Sequence, residues 1–192
     1  MDADLEDAAL GGGQGLKRLY RRASLRQVSK EDLERARRNA GEVGRVGEEL
    51  VNSHLIQLHG RGEIAEVEWT SQNNAVAPFD FRVRLPGGEV ILIDAKTTNG
   101  EFDRPVHISL NELLQMANGT ERYDIYRVYG ASLTEARLRV TSDLRNLGRE
   151  ILVALATLPD GIVVDSVSVS PSALKFSPEV TLSMPDSDEA QS

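Results

Sequence analysis

The chain predicts an α/β (α+β) fold in which a mixed β-sheet is flanked by helices. Three patterns carry that expectation. Apolar residues fall at 46, 50, 51, 55 and 58, the spacing of a helix with one buried face. Residues 79–85, FDFRVRL, alternate strictly between apolar and polar, as a strand with one apolar face does. Pro86-Gly87-Gly88 then turns the chain, and residues 89–97, EVILIDAKT, return as a second strand.

Taken in order, the chain starts with an acidic stretch that ends in Gly11-Gly12-Gly13-Gln14-Gly15, which reads as a flexible linker. A basic segment follows. Ser29-Lys30-Glu31-Asp32 opens a helix by a capping-box pattern. Gly41 and Gly44 are expected to interrupt it, and Gly60 and Gly62 to stop the helix over 46–58. Residues 64–70 read as a strand, 71–77 as a polar loop, and 79–85 with 89–97 as a hairpin. An exposed loop over 99–105 leads to a short strand at 106–108. Ser109-Leu110-Asn111-Glu112 is a second capping box, opening a short helix to about residue 116. A strand over 123–129 completes this part. Beyond it come a strand at 137–140, a helix at 142–158, a turn at Pro159-Asp160-Gly161 and a strand at 162–169. Residues 176–192 read as an acidic, disordered tail. The expected organisation is a flexible acidic start and basic helical arm (1–40), one domain (41–175, with a core at 41–130 and an αβ extension at 131–175), and the tail.

Composition sets limits on function. The 192 residues are 40% hydrophobic and 27% charged, which suits a soluble globular class. No apolar run is long enough to span a bilayer, and the acidic start lacks a basic-then-apolar leader pattern, so a cytoplasmic protein with no membrane contact is expected. With no cysteine, disulfides and thiolate metal sites are excluded. The net charge is −8, but it is unevenly spread. Acids dominate 1–10 and 176–192, while residues 11–40 carry nine Lys or Arg against three acids. Such a run is either a solvated helix face or an arm that contacts phosphate or a partner.

The chemistry centres on the end of the second hairpin strand. If Leu85 pairs with Glu89 across a three-residue turn, Val83 meets Ile91, Phe81 meets Ile93, and Asp80 meets Asp94. A two-residue turn would put the apolar sets on opposite faces, so the three-residue register is expected. Strand alternation places Lys96 on the same face as Asp94. Two facing carboxylates repel unless a cation lies between them, and oxygen ligands of this kind suit Mg²⁺ or Mn²⁺ with substrate phosphate oxygens. Such a metal stabilises charge on phosphorus and helps ionise a bound water, while Lys96 orients or deprotonates that water or neutralises the transition state. A surface ion pair at a ragged strand end would carry the same Asp-x-Lys. On the preceding helix Glu48 lies along the apolar stripe, three residues from Val51 and seven from Leu55, whereas Glu49 reads as solvated. A helix-N-terminal acid complementing the dipole would look alike.

At these residues the chain resembles the PD-(D/E)XK, restriction-endonuclease-like superfamily. Within it, the chain looks like the family named for the C-terminal domain of the plant protein NO VEIN. The resemblance rests on five short pieces in order across about residues 41–130: GRVGEELV at 44–51, PFDF at 78–81, IDAKTT at 93–98, ISLNEL at 108–113 and YDIYRV at 123–128. It implies an αβββαβ core and metal-dependent cleavage of phosphodiesters, usually in DNA. Carried over by position, Asp80 and Asp94 are the implied metal ligands, with the backbone carbonyl of Ala95 alongside. Lys96 is the implied catalytic lysine and Glu48 the helix acid supporting the metal. Family members often carry Glu where this chain has Asp94, which keeps the carboxylate. In bacteria many such domains belong to restriction or anti-phage systems, so a defence role follows as an implication. Double-strand cutting needs two sites, so a homodimer or a larger complex through the arm 11–40 is expected.

Other residues carry weaker readings. Thr97 and Thr98 suit phosphate contact or a β-branched strand end. Ser109, Asn111 and Glu112 read as capping residues, Trp69 as core, and Arg127 as able to approach nucleic acid beside core tyrosines. His54, His59 and His107 form no ligand-spaced pair, so zinc is not expected, and no phosphate loop supports NTP hydrolysis. The competing expectation is a non-catalytic module that keeps the nuclease fold for nucleic-acid binding or assembly.

Overall fold

The computed structural model describes residues 3–10, 12–22, 29–130 and 135–183 of the protein. Two short helices begin the chain, α1 (Ala3–Ala9) and α2 (Gly13–Arg22), followed by the long α3 (Lys30–Gly60). Strands β1 (Glu66–Trp69), β2 (Phe81–Arg84), β3 (Val90–Thr97) and β4 (Val106–Ser109) precede α4 (Leu110–Asn118). Then come β5 (Arg122–Tyr129), β6 (Glu135–Thr141), α5 (Arg145–Leu155), β7 (Ser166–Val169) and β8 (Val180–Ser183).

Six strands form a mixed sheet in the order β1-β2-β3-β5-β6-β8, and β4 pairs separately with β7. All neighbours are antiparallel except β3 and β5, which run parallel across the crossover through β4 and α4. The hairpin register is the expected one, with Phe81 opposite Ile93 and Val83 opposite Ile91. Its turn closes through Gly88 N–H to Leu85 O at 2.9 Å and Leu85 N–H to Glu89 O at 2.8 Å. Gly88 takes φ +88°, the left-handed conformation that a three-residue hairpin loop needs at its last position.

Both sheet faces are covered. Leu50, Val51 and Leu55 of α3 pack on Phe81, Val83, Ile91, Ile93, Val128 and Leu138. On the other face, Leu92, Tyr123 and Ile125 meet Leu113 and Met116 of α4, Leu144 before α5, and Val106 and Ile108 of β4. Helices on both faces of one mixed sheet make this the predicted α+β class.

Several elements differ from the sequence expectation. α3 runs unbroken through Gly41 and Gly44. Each glycine costs roughly 1 kcal/mol of helix propensity. A capping box offsets part of this, with Asp32 N–H donating to Ser29 Oγ at 3.0 Å and Ser29 N–H to Asp32 Oδ2 at 3.4 Å. The glycine-rich stretch expected as a linker becomes the tight turn into α2, where Gly12 N–H donates to Asp7 O at 2.7 Å. A Cβ at Gly12 would lie 2.3 Å from Asp7 Oδ1, so glycine is required by close approach. The acidic start is helical over Ala3–Ala9, with Asp4 and Asp7 buried rather than solvated.

The acidic tail is not wholly disordered. β8 completes the sheet edge, pairing Leu182 with Ala136 and burying Leu182 in the α3-side core. Its four-residue alternation was hidden by the surrounding acids and Ser/Pro residues. Residues 184–192 lie outside the described residues, as do 23–28 of the basic arm. The helix expected at 142–158 is shorter, Arg145–Leu155, because Asp143 turns out at φ +53° and holds its N–H on Asp124 Oδ1 at 3.0 Å. The strand expected at 162–169 is only β7, since just those four residues find a partner in β4.

Candidate active site

β3 leaves the core at Ile93 and immediately presents Asp94 and Lys96 to an open cleft of about 600 Å³. The cleft is also lined by Glu48 from α3, Asp80 before β2, and Glu112 from the first turn of α4. The four predicted side chains therefore line one cleft: the hairpin register brings Asp80 beside β3, Asp94 and Lys96 share the α4-side face with Leu92, and Glu48 reaches the cleft from α3, which packs on the opposite face.

Each side chain is held by its neighbours. Asp80 Oδ2 accepts from Ala95 N–H at 2.8 Å, tying one acid to the strand that carries the other. The Tyr123 hydroxyl donates to Pro78 O at 2.6 Å, which anchors the segment leading into Asp80. Glu48 Oε2 accepts from Ser71 Oγ at 2.8 Å and from Trp69 Nε1 at 3.2 Å. Trp69, read from sequence as core, thus orients a cleft acid while its ring packs on Phe81 at 5.4 Å. Glu49 turns outward and pairs with Arg45 one helical turn back.

Lys96 Nζ lies 2.8 Å from Asp94 Oδ2 and 2.9 Å from Glu112 Oε1. Both contacts pair the ammonium with a buried or half-buried carboxylate. Glu112 also closes the capping box of α4: its Oε2 accepts from Ser109 N–H at 2.8 Å. One carboxylate therefore starts a helix and holds the lysine. Sequence reading found only the first role, since nothing in a local pattern reports a partner 16 residues away.

Burial dominates the electrostatics. It pushes Asp94 up to about 7, against the pull of Lys96 and with the push of Asp80. Asp80 is raised by burial, with the Ala95 N–H opposing and Glu48 adding. Glu112 is raised by burial and by Asp94, with Lys96 opposing. Burial disfavours the Lys96 ammonium, but Asp94 and Glu112 outweigh it and hold the lysine above its ordinary value. Lys96 is therefore a fixed cation among four carboxyl groups.

That imbalance bears on metal binding. Among the described residues, no group of three or more His, Asp or Glu is placed to hold a metal by itself. Glu48 shares the cleft without closing a cage with Asp80 and Asp94. The remaining donor set is the two neighbouring carboxylates of Asp80 and Asp94. This fits Mg²⁺, which binds through one or two carboxylates and completes its shell with waters and substrate phosphates. His54, His59 and His107 form no cluster among the described residues.

Residues 47–141 match the family model described as Protein NO VEIN, C-terminal. No curated protein and no solved structure matches the chain significantly. The matched segment begins at Gly47 and ends with β6, so it contains Glu48, Asp80, Asp94, Lys96 and Glu112. It excludes α1, α2 and the first half of α3. Within the segment, Gly47 packs directly on β3: a Cβ there would lie 1.7 Å from Thr97 Oγ1. Arg127, also within it, is buried rather than presented to solvent. It donates to Lys96 O at 3.3 Å and Arg104 O at 3.1 Å, bracing the backbone beside the cleft.

Proposed function

We propose that the protein is a metal-dependent endonuclease of the PD-(D/E)XK type, hydrolysing phosphodiester bonds in DNA. What supports this reading above all is the meeting of Asp80, Asp94 and Lys96 in one cleft, where a surface ion pair would need no facing acid. Asp80 and Asp94 would hold Mg²⁺ or Mn²⁺, with the Ala95 carbonyl as a further oxygen donor. The bound ion supplies Lewis-acid stabilisation of phosphoryl charge and a more acidic water. Lys96 stays an ammonium between two carboxylates, so its role is to neutralise the developing phosphorane charge rather than to take a proton. Glu112 positions Lys96. Glu48, fixed by Trp69 and Ser71, adds negative charge at the far side of the metal site. No helix is long and apolar enough to cross a membrane among the described residues. A cytoplasmic setting, a role in restriction or anti-phage defence, and a dimer or complex through the basic arm all belong to the same proposal.

A second reading, a nuclease-fold module for binding or assembly, is favoured by the lack of a three-ligand metal cluster among the described residues. One experiment separates them. Purified protein is incubated with supercoiled plasmid, single-stranded DNA and RNA in Mg²⁺ or Mn²⁺, beside Lys96→Met. Metal-dependent cleavage of DNA by the wild type and its loss in the variant is the expected result. Equal products from both proteins, or none from either, leaves the binding module.

A further inference from the structure

Beside the cleft, and sharing Ala95 and Lys96 with it, lies a second cavity of about 190 Å³. Arg104, His107 and Arg127 line it together with Thr97 and Thr98. One carboxylate enters from outside. Asp7 of α1 places Oδ1 3.1 Å from His107 Nε2, and its side chain is 4% exposed. Ala40 and Gly44 of α3 line the cavity as well.

Three features make this more than an internal ion pair. Arg104 and Arg127 line the cavity beside the single acid Asp7, and Lys96, although paired with Asp94 and Glu112, is a further cation in the lining. Thr97 Oγ1 is a buried hydroxyl in the same wall without a hydrogen-bond partner. The helix that delivers Asp7 lies outside the segment shared with the NO VEIN C-terminal family, so the cavity's walls belong to the matched fold and its plug does not. Cations, a histidine and threonine hydroxyls around one oxyanion are the chemistry of a phosphate site.

We propose that this cavity binds a phosphate group, that the Asp7 carboxylate is its internal substitute, and that α1 therefore competes with a nucleic-acid strand entering the cleft. The inference rests on the reading of the cleft as a nucleic-acid site. The chain at the end of β3 joins the two: Thr98 follows Lys96 by two residues, roughly 6.6 Å along an extended strand, and also lines the cavity. A strand whose scissile phosphate faces Lys96 runs on into the cavity with its neighbouring phosphate, and α1 must lift for it to do so. Among the described residues, the Asp7 carboxylate is held by reversible contacts: the His107 pair, a bond from Gly15 N–H and the attraction of Arg18.

The test measures binding in EDTA, so that cleavage plays no part. A fluorescent single-stranded DNA 12-mer is titrated with the full chain, Asp7→Asn and Asp7→Asn/Arg104→Gln. Asn keeps the shape and can still accept from Gly15 N–H, so only the charge is removed. A gain of fivefold or more in affinity for Asp7→Asn, cancelled by Arg104→Gln, is expected. Hydrogen exchange of residues 3–10 in the wild type is followed in parallel, with the 12-mer or with inorganic phosphate. Faster exchange with the 12-mer assigns the site to a polynucleotide backbone, and with inorganic phosphate alone to a free anion. Unchanged exchange with both ligands, or an Asp7→Asn protein that binds no more tightly, overturns the proposal. If Asp7→Asn does not fold, the wild-type exchange measurement decides by itself. A protein that shows these effects but cuts nothing sinks the nuclease reading alone, and one that cuts without them sinks this one alone.

Discussion

Lys96 and Glu112, 2.9 Å apart, join the end of β3 to the start of α4, and the same glutamate accepts from Ser109 N–H. Glu112→Gln keeps an acceptor for the cap but withdraws one of the two charges that fix the ammonium. Cleavage is expected to fall roughly tenfold to a hundredfold, the usual scale for a residue that orients a site group. Lys96→Met is expected to fall further, by about 10³-fold, as loss of a transition-state charge partner does. Rates of plasmid nicking check both. Near-wild-type melting of Glu112→Gln would separate positioning from folding.

Gly47 and Gly41 lie on one helix and should respond oppositely to alanine. At Gly41 nothing lies within 4 Å of a new Cβ, so Gly41→Ala is expected to stabilise by about 0.5–1 kcal/mol through helix propensity. At Gly47 the Cβ meets the Thr97 side chain, so Gly47→Ala is expected to destabilise by about 1–3 kcal/mol, and to lower activity by moving β3 next to Lys96. Urea denaturation of the two variants decides.

The buried Asp94 carboxyl gives a pH signature in metal-free protein. Its ordinary value is 3.8, and in the fold it reaches about 7. Between those values the folded state holds a proton that the unfolded chain has released. Its contribution to stability is therefore full below about pH 4 and is lost as pH rises through 7. Over that window the wild type should lose stability relative to Asp94→Asn in EDTA as pH rises. Asp80 and Glu112 are shifted the same way and keep part of the slope in the variant. Denaturation curves at several pH values, all in EDTA, measure it.

The sheet edge offers a test independent of function. Leu182 on β8 is buried against Ala136 and Leu138 of β6, so Leu182→Ala should cost about 2–4 kcal/mol, as for a core leucine. A change under 0.5 kcal/mol would mean that β8 does not hold the edge in solution.

Much of this was legible in the sequence because it rests on periodicity. The helix face through Val46, Leu50, Val51 and Leu55 and the Phe81–Ile93 register follow from side chains that must share a core. The meeting of Asp80, Asp94 and Lys96 followed from that register. Glu48 was placed on the correct element, but its fastening by Trp69 and Ser71 was not, because an indole that both packs and donates looks like any core aromatic. The N-terminal helices and β8 escaped for another reason. Their acids and glycines read as solvated or flexible, and only tertiary partners such as His107 for Asp7 and Ala136 for Leu182 give those residues a fixed place.

α3 is a single rod of 31 residues, about 46 Å long at 1.5 Å per residue, with no proline along it. One end carries the basic turns, and the middle is clamped on β3 at Gly47, next to Glu48. A helix this stiff transmits twist. Whatever grips its basic end applies torque where the cleft acids sit, and the fulcrum is the bare backbone of Gly47 on Thr97.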